Sequence, residues 1–102
     1  MNASDFDLLQ LTEAAIRSLV SLDIAEQSDI VIKQCRSIAE TIGTMLAPQL
    51  YGARIHGVGN AVSIVIRSCS EALFWLNFSP KKPEAAIAAV SKLRDVLMSP
   101  GM

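Results

Sequence analysis

Residues 31–45, VIKQCRSIAETIGTM, decide the predicted fold of this chain. Apolar side chains recur in this segment at intervals of four, three, four and three residues. That spacing places them along one side of an α-helix, and we call such a row of apolar positions a seam. The seam consists of Val31, Cys35, Ile38, Ile42 and Met45. Residues 31–45 are therefore predicted to form a helix with one apolar side.

Three further seams follow the same spacing. The first contains Leu8, Leu11, Ala15, Leu19 and Leu22 and is widened by Leu9, Ile16 and Val20. The second contains Val58, Val62, Val65, Cys69, Ala72 and Leu76, and the third contains Ala86, Val90, Leu93 and Leu97. Four such helices predict an all-α protein, an antiparallel four-helix bundle of up-down topology, with residues 1–102 as a single domain. Helix 3 is apolar on nearly all sides, so we expect it to be central.

Capping residues predict where the first two helices begin. Ser4 caps helix 1, because Asp7 three residues later completes an approximate capping box. Helix 2 begins either at the capping-box sequence of residues 23–26 or at residues 28–29. Pro48 disfavours helical backbone at the residue before it, so helix 2 is expected to end or kink near residue 47.

Residues 48–60 allow two structures. In one, they form a long connection and Asn60 caps helix 3, which runs over residues 61–77. In the other, which we favour, Pro48 is the first residue of a helix that becomes irregular at residues 57–59. The clearest linker is SPKKP at residues 79–83, and helix 4 starts at its end and stops near Met98.

The composition predicts self-association. Hydrophobic residues make up 51% of the chain and charged residues 19%, against about 25% charged in average globular proteins. A small bundle has too little interior for this apolar surface, so we expect a homodimer or a larger homo-oligomer, with a heterologous protein as the alternative partner. The net charge is −1, and Lys81 and Lys82 form the only basic cluster. This balance argues against nucleic-acid binding, which neutralises several phosphates.

No membrane anchor or secretion signal is expected. The N-terminal residues have no basic region followed by an apolar core, as a signal peptide would. The most apolar stretch, residues 61–78, carries Arg67 and Glu71 near its middle, whereas a membrane-spanning helix needs about 20 largely uncharged residues. We therefore expect a cytoplasmic protein.

The two cysteines are predicted to be buried thiols. Cys35 and Cys69 both occupy seam positions, and buried cysteine behaves as a small hydrophobic residue. Structural zinc needs four ligands, and the one other soft ligand, His56, lies about 20 Å from Cys69 along a continuous helix. No metal site and no cofactor are predicted.

His56, the single histidine, is the one candidate for chemistry. It is followed by Gly57-Val58-Gly59-Asn60. In size and class the chain resembles histidine phosphotransfer domains, four-helix bundles whose motif reads His-x-x-Lys-Gly. Here the lysine is absent and the glycine comes one place early, so the family is not assigned. We predict no catalytic residue and no enzyme activity, because no convergent polar set is present.

Phe74, Trp75 and Phe78 are the predicted interface residues. Large aromatic side chains are common anchors at protein interfaces. Phe74 and Phe78 share one side of helix 3 and Trp75 points about 100° away, so one small core cannot hold all three. The sequence therefore predicts a non-enzymatic interaction protein, such as an accessory factor, an inhibitor or a chaperone. The alternatives are a phosphotransfer-type module centred on His56 and a binder of a small apolar ligand between the helices.

Overall fold

Four α-helices and their connections make up the part of the chain that the computed structural model describes, residues 3–51 and 58–99. In chain order they are α1 (Ala3–Val20), α2 (Asp29–Leu50), α3 (Val58–Phe78) and α4 (Glu84–Met98). These residues contain no β-strand, so the all-α prediction is confirmed. Helix α1 begins at Ala3, so Ser4 lies inside its first turn and the predicted start after Ser4 is corrected by two residues.

Helix α2 begins at the second of the two predicted sites. Ser28 is its N-cap residue, with extended backbone, and its carbonyl accepts a hydrogen bond from the N–H of Ile32 at 3.1 Å. The alternative start at residues 23–26 is a turn instead. There the Asp23 carboxylate accepts a bond from the N–H of Ala25 at 2.8 Å. An aspartate that bonds nearby backbone in this way favours a turn over a helix.

Helix α2 continues through Pro48, so the predicted end near residue 47 is wrong. The helix ends at Leu50, and the N–H of Tyr51 donates to the carbonyl of Ala47 at 3.0 Å. Proline has no N–H, which leaves the carbonyl of Thr44 without its usual helical partner. Thr44 is exposed, so water can replace that bond. Leu50 is only 6% exposed, and its burial stabilises the last turn.

Both interpretations of residues 48–60 need correction. Pro48 lies inside α2 and Tyr51 in a turn, so no new helix starts at Pro48. Helix α3 begins at Val58, which places Asn60 inside its first turn rather than at its N-cap. A good capping residue is tolerated inside a helix when the backbone bonds of one more turn outweigh its low propensity. Residues 52–57, and His56 with them, lie outside the described residues.

The helices pack in a ring around one apolar interior. Helix α1 packs against α2, α2 against α3, α3 against α4, and α4 against α1, while the described residues show no packing across either diagonal. Helix α3 therefore has two helical neighbours like the others, and its predicted central position is wrong. Its outer side is exposed instead.

The predicted seams supply the core. Thirteen predicted seam residues are buried at its centre: Ala15, Leu19, Val31, Cys35, Ile38, Ile42, Val65, Cys69, Ala72, Leu76, Ala86, Val90 and Leu93. Leu46 and Leu50, which the predicted α2 seam did not include, join them. Met45 is only partly buried, because the buried side of a 3.6-residue helix drifts away from a seven-residue repeat. On α1, Val20 is 46% exposed and does not belong to the seam.

A polar cluster joins the α1–α2 connection to the α3–α4 connection. The Gln27 amide donates to the carbonyl of Lys81 at 2.8 Å, and the Ser79 hydroxyl bonds to the amide oxygen of Gln27. Gln27 and Ser79 are both buried. Nearby, the Lys81 ammonium lies 3.4 Å from the carboxylate of Glu26, in a solvent-exposed ion pair. We call Gln27, Ser79 and Lys81 the loop clasp, because it satisfies buried polar groups of two connections at once.

Replacement of Ile38 by alanine tests the packing of α2. Ile38 is 5% exposed in the middle of the buried side, so Ile38→Ala should lower the free energy of unfolding by about 2–5 kcal/mol. The matched control is Glu40→Ala on the exposed side of the same helix, with an expected change within about 0.5 kcal/mol. Urea unfolding followed by circular dichroism measures both. Equal small effects would contradict this packing.

Candidate functional site

The three predicted interface residues lie together at the C-terminal end of α3. The ring centroids of Phe74 and Phe78 are 6.2 Å apart with near-parallel planes. Trp75 meets both rings edge to face, at 5.1 Å from Phe74 and 5.9 Å from Phe78. These separations are those of favourable aromatic pairs. We call Phe74, Trp75 and Phe78 the aromatic cluster.

One side of the aromatic cluster packs against the core, and the other side is exposed to solvent. Trp75 is half-buried and packs against the bundle core. Phe74 and Phe78 are each 61% exposed. The indole of Trp75 thus supports two rings that the bundle itself does not cover. Their interface role stays a prediction, whereas their proximity and exposure are properties of the structure.

The exposed side of α3 is otherwise polar. Alongside Phe74 lie Ser63, Arg67, Ser70, Glu71 and Asn77, all of them exposed. Among the described residues, neither Arg67 nor Glu71 takes part in an ion pair. A shallow groove beside the cluster is lined by Ser70, Leu73, Phe74, Asn77 and Phe78. This surface, from Ser63 to Phe78, is called the outer face of α3.

Some exposed apolar residues and the buried polar pair had no clear signal in the sequence. Ile24 and Ile30, at the connection between α1 and α2, are 73% and 50% exposed. Isolated apolar residues on a surface are common and do not by themselves mark a site. Gln27 and Ser79 bond to each other across 52 residues of sequence, and no local spacing could reveal that pairing.

The described residues around the aromatic cluster include no group of side chains suited to a metal ion. No group of three or more His, Cys, Asp or Glu residues in residues 3–51 and 58–99 could hold a metal ion. The hollow next to Met45 is lined by Ser37, Glu40, Thr41 and Thr44 and is open to solvent. It is thus a polar surface depression rather than a closed apolar cavity. His56 lies outside the described residues.

Both cysteines are free and fully buried in the core, as their seam positions predicted. Burial raises the pKa of the Cys35 thiol to about 11, from an ordinary value of 9.0. Burial also raises the pKa of the Cys69 thiol to about 11, although the positive charge of Arg94 acts in the opposite direction. The reactive form of a cysteine is the thiolate, so these residues are packing groups rather than nucleophiles.

One segment of the described chain, Asn60–Phe78, is long and apolar enough by length and composition to cross a membrane. A core helix of a soluble bundle passes the same test, and this helix contributes Val65, Cys69, Ala72 and Leu76 to the core. Comparison of the chain with protein-family models, with curated proteins and with solved structures finds no match. No relative therefore suggests a function for it by similarity.

The buried thiols predict a loss of stability at alkaline pH. Unfolded thiols ionise near their ordinary pKa, but the buried ones ionise only near pH 11. As the pH rises, the thiols of the unfolded state therefore lose their protons first. The contribution of each buried thiol to the free energy of unfolding is complete below about pH 9 and lost by about pH 11. The loss is on the order of 2 kcal/mol for each thiol.

Urea unfolding at a series of pH values measures this loss. A variant with Cys35→Ala and Cys69→Ala is the control, because it lacks the two thiols and keeps every other ionisable group. The wild type should lose more stability than the variant between about pH 9 and about pH 11. The same pH dependence in both proteins would show that the thiols are not buried.

Proposed function

We propose that this chain is a non-enzymatic interaction protein, an antiparallel up-down four-helix bundle that binds another protein chain through the aromatic cluster on α3. A second copy of the chain is the first partner to consider, and a heterologous protein is the alternative. The observation that carries the proposal is the exposure of Phe74 and Phe78. Each is 61% exposed, and both rings pack against the half-buried Trp75.

The loop clasp supports the up-down topology. It joins the connection after α1 to the connection after α3, so both lie at one end of the molecule. The 22 residues of α2 span about 33 Å, close to the longest dimension of the molecule, 40 Å. Helices of this length must lie along the long axis, and those that meet at a short connection then run in opposite directions.

The energetics of the aromatic cluster favour binding. Full burial of a phenylalanine side chain contributes about 1.5–3 kcal/mol. The two rings already stack on each other and meet Trp75 edge to face, so a partner that covers them orders few side chains further. Binding would remove two large exposed rings from water with little loss of side-chain entropy, which is typical of an interface hot spot.

The other described features agree with an interaction role. A net charge of −1 gives no basic surface for nucleic acid. Two free buried thiols are compatible with a reducing compartment such as the cytoplasm, which we propose as its location. The surface hollows are open rather than enclosed, so a role in binding a small apolar ligand has less support than protein binding.

Replacement of Phe74 by serine tests the proposed function. Because the ring is mostly outside the core, Phe74→Ser should leave the helicity and the unfolding midpoint nearly unchanged. It should weaken self-association or partner binding by about 2 kcal/mol or more, roughly 30-fold in the dissociation constant. Sedimentation and light scattering measure mass. The emission of Trp75, the single tryptophan, reports whether the cluster is covered.

Tyr51→Ser is the matched control, since Tyr51 is an exposed aromatic residue, 73% accessible, on another helix end. It should leave both association and Trp75 emission unchanged. If Phe74→Ser unfolds the protein, the ring belongs to the core. If it changes neither folding nor binding, the aromatic cluster is not an interface.

A further inference from the structure

We infer that the outer face of α3 binds the same face of a second copy of this chain, with the two α3 helices antiparallel about a two-fold axis beside Ser70. This inference rests on the proposed function and specifies its partner and its geometry. The strongest support is that the outer face is complementary to itself in both charge and shape.

The charges of the outer face complement each other under a two-fold rotation. Arg67 and Glu71 are exposed on the same side of α3, and neither forms an ion pair among the described residues. A two-fold axis perpendicular to the two α3 helices makes them antiparallel. It also brings the edge of the outer face that carries Arg67 and Glu71 next to the same edge of the partner. With the axis beside Ser70, Arg67 and the partner's Glu71 are offset by about 3 Å along the helices, two residues at 1.5 Å each. Each contact occurs twice in the dimer.

The aromatic rings meet suitable neighbours in the same arrangement. Phe74 comes level with the partner's Arg67, within one residue, where a guanidinium can stack on an aromatic face. Phe78 comes level with the partner's Ser63, a small residue that leaves room for a ring. The two Ser70 side chains face each other at the axis, where small residues allow the helices to approach closely. Large side chains therefore oppose small or stacking ones along the whole contact.

A second copy explains the outer face better than a membrane does. A bilayer surface would cover the rings, but it would also bring Glu71 next to them without a cation to pair with it. The connections and helix starts at the same end of the bundle carry Asp23, Glu26, Asp29 and Glu84 against Lys81 and Lys82, so this charge balance gives no attraction to an anionic membrane surface. A second copy supplies the arginine that Glu71 lacks.

The size of the contact sets the expected affinity. One helix face on each side covers less than the roughly 1,600 Å² that a standard stable interface buries. We therefore expect a dissociation constant in the micromolar range rather than the nanomolar range. Sedimentation should show a monomer–dimer equilibrium that shifts over that range, with Trp75 emission changing in parallel.

Charge reversal tests the pairing of Arg67 with Glu71. Arg67→Glu places two glutamates opposite each other at each contact, and Glu71→Arg places two arginines there, so each variant alone should dimerise at least tenfold more weakly. An equimolar mixture of the two variants should form a heterodimer in which both charge pairs between positions 67 and 71 are attractive again. The doubly substituted chain should recover the homodimer. Lys92→Glu, the same charge change on an exposed residue of α4, should have no effect.

A cysteine at the axis tests the register. With a mild oxidant, Ser70→Cys should form a disulfide-linked dimer quickly, because the two new thiols face each other across the contact. Ser37→Cys, on the exposed surface of α2, should cross-link slowly. The native Cys35 and Cys69 are fully buried and should stay reduced.

The outcomes separate this inference from the proposed function. A wild-type protein that stays monomeric up to about millimolar concentration would overturn the inference, while a heterologous partner lost on Phe74→Ser would still support the proposed function. A dimer that withstands both charge reversals, or that cross-links equally through residues 37 and 70, would overturn the α3 pairing. Heterodimer formation only from the mixed charge variants, with selective cross-linking at residue 70, would establish it.

Discussion

The burial of four apolar seams in one interior is the interaction on which the other features of this structure depend. No single helix of this length is stable alone in water, so each requires the apolar sides of its neighbours. Val31, Cys35 and Ile42 of α2 are fully buried in the same cluster as Val65 and Cys69 of α3. Once these sides meet, the ring of helices follows, the connections are held at the ends, and the opposite side of each helix faces the solvent.

That arrangement leaves part of the apolar surface outside. Helix α3 is the most apolar of the four, yet it has two helical neighbours, like the others. Phe74 and Phe78, the large apolar side chains of α3 that the core does not cover, therefore remain exposed beside Arg67 and Glu71. A face that combines large rings with two opposite charges, neither in an ion pair among the described residues, is suited to specific recognition, because the rings supply affinity while the charges restrict orientation and partner.

The sequence predicted features that arise from repeated spacing and missed those that arise from single contacts. Val65, Cys69, Ala72 and Leu76 are buried as expected, because helical periodicity determines which side faces a core. The 100° rotation per residue likewise predicted that the core cannot hold Phe74, Trp75 and Phe78 together, and Phe74 and Phe78 are exposed. The helix ends at Leu50 and Val58 could not be predicted, since packing of Leu50 and the backbone bonds of one turn outweigh the local preferences of Pro48 and Asn60. The bond between Gln27 and Ser79 depends on the completed fold.

Pro48 has a consequence for local motion in α2. Without an N–H at this position, the carbonyl of Thr44 has no donor in the helix, and the turn beyond it depends on the Tyr51–Ala47 bond and on packing of Leu50. That turn can open without disturbing Leu46, one turn earlier in the core. The backbone amides of Leu50 and Tyr51 are thus expected to exchange with deuterium by local fraying, whereas the amide of Ile42 exchanges only when the whole bundle unfolds.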